Sequence, residues 1–180
     1  MKTHRLAGVW VAAAVAVMLL LPARAGSTTQ STLAVKSQSA IYKPSTGMVA
    51  FRIVFNRHPD FFTADEFDRQ ADSFQYFIVG DASLPYPENF DSIIRGEEIH
   101  STGLIPIRNA FPPDPLATSG WGTIRGEVTF TLHGRVLRFS APLSMLTDRV
   151  GLSVLPYQLE VYEFGSWNGI EIIDSIRLKR

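Results

Sequence analysis

Gly120-Trp-Gly-Thr-Ile-Arg-Gly-Glu-Val128-Thr-Phe130-Thr-Leu132-His133-Gly134-Arg-Val136-Leu-Arg-Phe139-Ser-Ala-Pro-Leu-Ser-Met-Leu146 is the stretch whose reading decides the fold. Val128, Phe130 and Leu132 alternate with polar residues ahead of His133-Gly134, and Leu137 and Phe139 alternate with Arg138 and Ser140 after it. That period of two belongs to strands with one buried face. A two-residue loop at His133-Gly134 closes a hairpin, pairing Leu132 with Arg135, Phe130 with Leu137 and Val128 with Phe139 on the apolar face. Thr131 with Val136, Thr129 with Arg138 and Glu127 with Ser140 then form the other face, which is mostly polar. Gly134 accepts the positive φ that a primed turn demands, so turn chemistry and pairing agree.

The same alternation runs outward from this hairpin. Leu33–Tyr42 and Met48–Asn56 read as a first pair of strands around the turn Lys43-Pro-Ser-Thr-Gly47, with Phe51, Ile53 and Phe55 on one face. Phe74–Val79 is a third strand. Ser92–His100 and Gly103–Arg108 are short ones, the second placed at a sheet edge by Pro106. Pro85 and Pro87 make a loop of 81–89, and Pro112, Pro113 and Pro115 make another of 109–120. Thr63-Ala-Asp-Glu66 is a capping box that predicts one short helix near residues 64–71. Leu152–Phe164 and Ile170–Leu178 are the most apolar pair, joined through Gly165-Ser-Trp-Asn-Gly169. The reading is an all-β chain, an antiparallel β-sandwich of the jelly-roll or Ig-like kind.

Residues 1–25 have a basic start in Lys2 and Arg5, an uncharged run from Leu6 to Leu21, and an Ala23-Arg-Ala25 site. This is the tripartite pattern of a secretory signal peptide, so the chain is expected to be exported, periplasmic or extracellular. Residues 26–32 read as a flexible Ser/Thr-rich leader and 33–180 as a single domain. Removing Lys2, Arg5 and Arg24 takes the 17 basic residues to 14 against 17 acidic ones, a balance that argues against nucleic acid as partner. No membrane contact is expected once the leader is cleaved. Cys is absent, so no disulfide constrains the unfolded chain, and stability rests on burial by the 12 Phe and 5 Tyr.

The chemistry is sparse. Without Cys, Gly-x-Ser-x-Gly, Ser-x-x-Lys, His-Glu-x-x-His or a Gly-rich phosphate loop, the chain offers no legible catalytic constellation. Glu97, Glu98 and His100 read as solvated charges of an extended segment. Two features stand out. Trp121, between Gly120 and Gly122, and Trp167, within Gly165–Gly169, place an indole at a loop where a sugar or peptide can stack. Asp81, Glu88, Asn89 and Asp91 gather oxygen ligands of the kind Ca2+ takes, although no cofactor is otherwise called for.

These observations predict an exported, non-catalytic binding or structural module for a carbohydrate or protein ligand. The alternative is a secreted carbohydrate-active hydrolase working through paired carboxylates. The apolar pair at 152–178 leaves homo-oligomerisation open.

Overall fold

Alternation of apolar and polar residues gives strands such as Met48–Phe55 and Val136–Pro142 one buried and one open face, whereas Ser73–Val79 is buried on both, and the computed structural model shows how those faces pair. It describes residues 32–62, 72–85, 88–96, 99, 103–110, 122–163 and 166–179, with the backbone alone for 166–171. The strands are β1 (Val35–Lys43), β2 (Met48–Phe55), β3 (Ser73–Val79), β4 (Phe90–Arg95), β5 (Ile105–Asn109), β6 (Ile124–Val128), β7 (Phe130–His133), β8 (Val136–Pro142), β9 (Val154–Glu163) and β10 (Ser166–Arg177). They form two antiparallel sheets, one in the order β1-β2-β8-β7 and one in the order β10-β9-β3-β4-β5-β6. The expected β-sandwich is therefore the fold. One four-residue helix, α1 (Leu143–Leu146), follows β8; the capping box at 63–71 lies outside the described residues, as do residues 1–31.

The decisive stretch serves both sheets. β6 pairs with β5 in the six-stranded sheet, the ladder breaks at Thr129, and β7 pairs with β8 in the four-stranded one. The first arm of the expected hairpin, paired without a break from Glu127 to Leu132, is thus corrected to two short strands that turn the corner between layers. The hairpin register is corrected as well: Phe130 faces Phe139, Leu132 faces Leu137 and His133 faces Val136, leaving Gly134-Arg135 as the loop. The expected pairing was displaced by two residues, and because side chains alternate with period two, that displacement leaves Phe130, Leu132, Leu137 and Phe139 together on one face, while Arg135 moves into the turn and Glu127 and Val128 pair in the other sheet. Gly134 has φ of +55° at the first central position of the turn. The His58 ring donates from Nδ1 to the Gly134 carbonyl at 2.5 Å, tying the end of β2 to this turn.

Pro106 does not place β5 at an edge, since β5 lies between β4 and β6. Its ladder with β4 stops at Ile107, so the missing N–H falls just beyond that pairing and is tolerated.

Cross-strand rows build the core. Phe51 and Phe139 are direct partners on β2 and β8, stacked at 4.7 Å, and both meet Tyr76 of the other sheet, at 5.0 and 6.2 Å. Tyr76 in turn packs on Tyr157 at 5.4 Å. Leu155, Tyr157, Leu159 and Val161 of β9 are wholly buried, as the alternation from Tyr157 to Val161 required. Each such side chain contributes about 1.5–3 kcal/mol, and each aromatic pair adds roughly 0.5–1.5 kcal/mol.

Polar links close the two ends. Arg57, after β2, forks onto Asp72 at 2.6 and 3.0 Å and reaches Glu163 of β9 at 2.7 Å. Asp72 is buried and also accepts the Asp60 amide at 2.8 Å. Its carboxylate raises the Arg57 pKa by hydrogen bonding, against the opposing effect of burial. Across the β1 edge, the Tyr157 hydroxyl donates to Gln38 Oε1 at 2.6 Å, and Gln38 Nε2 donates to Asp174 at 3.0 Å.

Candidate functional site: a cationic groove on the four-stranded sheet

The inner faces of the sheets are consumed by the core, so a ligand must meet an outer face or an edge. On the four-stranded sheet the residues between the core positions point outward, and register aligns them in rows. Ser39 faces Arg52, Arg52 faces Arg138, and Arg138 faces Thr131, one row across all four strands. The next row holds Ile41, Ala50 and Ser140, and the one beyond it Lys43, Met48 and Pro142. All of these except Pro142, together with Thr129 and the rings of Phe51, Phe130 and Phe139, line a groove of about 700 Å3.

The groove's electrostatics are one-sided. It contains Lys43, Arg52 and Arg138 and no carboxylate. Nor does any strand of that sheet contain Asp or Glu. Among the described residues none of the three cations has an ion-pair partner, in contrast to Arg57, Arg125 and Arg149. Arg52 and Arg138 are direct cross-strand partners, an arrangement of like charges that weakens a sheet by up to about 1 kcal/mol. Ala50 keeps the floor between the cations and Lys43 low. Ile41, 59% exposed, and Met48 add an apolar margin beside the hydroxyls of Ser39, Thr129, Thr131 and Ser140. Such a surface can grip an anionic group with guanidinium forks while hydroxyls bond to polar neighbours.

The oxygen set from the sequence is partly assembled. Asp81 and Asp91 come together at the end of β3 and β4, where Gly80 lacks the Cβ that would overlap the Asp91 carboxylate. Their shared neighbour is a cation of the chain itself: Arg149 lies 3.9 Å from Asp81 and 3.4 Å from Asp91. Asp91 also accepts the Thr147 hydroxyl at 2.5 Å. Asp81 accepts the Ser83 hydroxyl and amide, which hold its pKa below the usual carboxylate value, with Arg149 helping. Glu88 is exposed, and Asn89 gives its backbone carbonyl to the amides of Gly80 and Asp81. Among the described residues no group of three or more His, Asp or Glu is arranged to hold a metal ion.

Trp121 lies outside the described residues, as do Glu97, Glu98 and His100. The backbone of Trp167 is in β10, paired with Tyr162, and its side chain is not among those described. The loop expected at 165–169 is corrected: Ser166 pairs with Glu163, so only two residues separate β9 from β10.

The cationic groove was missed from the sequence, yet a signal for it exists. Residues 33–59 and 128–147 contain no Asp or Glu, and these two segments supply the whole four-stranded sheet. Compared with known families, curated proteins and solved structures, the chain finds a match in none.

Proposed function

We propose that this protein is an exported, non-catalytic binding module whose ligand surface is the outer face of the four-stranded sheet. The observation that carries the reading is the groove itself, with three cations that have no ion-pair partner among the described residues, two of them opposed across strands in one row and the third two rows along. Sheets tolerate directly opposed like charges poorly, so their retention at the centre of a groove fits a surface made to be neutralised by a ligand. A hydrolase would need two carboxylates flanking the bound chain, and the groove lining offers none.

Export follows from the leader pattern, and the intact mass of protein recovered outside the cytoplasm should lack residues 1–25. Binding is tested by adding polysaccharides and peptides to isotope-labelled protein and mapping amide shifts. Shifts should fall on β1, β2, β7 and β8, and Ser140→Trp, which fills the groove from an exposed position, should remove them. Shifts confined to the six-stranded sheet, or release of new reducing ends from a polysaccharide, would refute the reading.

A further inference from the structure

The charge pattern narrows the ligand class beyond a binding module, and this step rests on the groove being the binding surface. We infer that the groove binds a carboxylated polysaccharide, with Arg52 and Arg138 clamping one uronate carboxylate and Lys43 meeting a second acidic group along the same polymer. Arg52 and Arg138 stand directly opposite on neighbouring strands, which sets their Cα atoms about 4.5–5.5 Å apart. Two guanidinium planes rising from that spacing converge on one planar carboxylate, each giving a fork of N–H donors to its oxygens. Occupation removes the Arg–Arg repulsion, so ligand charge is worth more here than at an isolated arginine.

The second station lies along the strands. Lys43 faces Met48, four residues from Arg52 on β2, or roughly 13 Å at the rise of a strand. A polymer with repeated carboxylates satisfies both stations in one pose, and the second contact then forms at high effective concentration. Between the stations lie Ala50 and Ser140, with Ile41 beside them. That combination of a hydroxyl and small apolar surface suits the mixed C–H and O–H faces of a sugar ring. Nucleic acid fits less well: of the groove's three aromatic lining residues, Phe51 and Phe139 are buried in the core and the half-buried Phe130 is stacked against Phe62, which leaves no row of open ring faces for successive bases.

The test uses the purified protein and four probes: polygalacturonate, dextran sulfate, neutral dextran, and single-stranded oligonucleotide, each titrated calorimetrically at low and moderate salt. Polygalacturonate should bind, with affinity falling as salt rises. Arg52→Ala and Arg138→Ala should each weaken it about tenfold or more, and Arg138→Glu should abolish it. Arg135→Ala removes the same charge at the hairpin turn outside the groove lining and should change affinity by less than about twofold. Arg138→Thr should raise the melting temperature of the unliganded protein while weakening binding, an opposite pair of effects that misfolding cannot produce.

Equal losses from Arg135→Ala and Arg138→Ala would overturn the clamp in favour of diffuse charge attraction. Binding of neutral dextran alone, lost with Ser140→Trp, would overturn the carboxylate and keep the groove. Preference for dextran sulfate or oligonucleotide through the same arginines would replace the ligand class. Polygalacturonate binding untouched by any groove variant would overturn both the clamp and the groove.

Discussion

Tyr76→Phe should make this protein more stable. The Tyr76 side chain is wholly buried at the centre of the sandwich, among Phe51, Phe74, Phe139 and Tyr157, and its hydroxyl has no hydrogen-bond partner among the described residues. Burying a hydroxyl in that condition costs about 1–3 kcal/mol. Phenylalanine keeps the ring and its contacts and leaves a void of one oxygen, roughly 15 Å3, which at about 24 cal/mol per Å3 costs only ~0.4 kcal/mol. The balance is a gain of about 1–2 kcal/mol, or a rise in melting temperature of roughly 2–8 °C for a domain of this size. Urea unfolding should show a higher midpoint with unchanged slope. Tyr157→Phe is the mirror experiment. Its hydroxyl donates to Gln38 at 2.6 Å, so removing it should cost about 0.5–1.5 kcal/mol. If both substitutions destabilise, or if Tyr76→Phe lowers stability by more than about 0.5 kcal/mol, the unsatisfied hydroxyl does not carry the cost assigned to it.

The same two tyrosines make stability fall in alkali. Burial raises the pKa of both, with Tyr157 adding to the effect on Tyr76 and Asp174 to that on Tyr157. Unfolded tyrosine loses its proton near pH 10, so above that pH the native state holds more protons and unfolding gains up to about 1.4 kcal/mol per pH unit per tyrosine. The contribution is complete below pH 10 and is lost above it, and Tyr76→Phe should flatten the fall in urea midpoints between pH 9 and 11. Arg57→Ala should cost about 3–5 kcal/mol, because the buried Asp72 carboxylate keeps the Asp60 amide but loses both guanidinium bonds. Equal costs for Arg57→Ala in wild type and in Asp72→Asn, measured as a double-mutant cycle, would show that the pair is not coupled. Gly134→Val should cost about 1–3 kcal/mol, since φ of +55° opposes a β-branched residue while nothing crowds the added side chain. A change within about 0.5 kcal/mol would mean that the turn relaxes freely.

Sequence by itself determined which residues face inward. Alternation in β2, β8 and β9 is a local property, and a displacement of the β7–β8 register by two residues could not disturb it. Turn positions at Lys43–Gly47 and near Gly134 were legible for the same reason, because positive φ is demanded within a few residues of the glycine itself. Tertiary structure decided everything that depends on distant partners. The break at Thr129 has no glycine or proline to announce it; it exists because Val128 is claimed by Ile105 in one sheet and Phe130 by Phe139 in the other. The oxygen ligands at Asp81 and Asp91 were readable, but not that Arg149, far along the chain, would stand beside both. Two acid-free segments were visible in the chain, yet only the pairing of β2 with β8 turns them into one cationic face, because a sheet joins strands by hydrogen-bond register rather than by proximity in sequence.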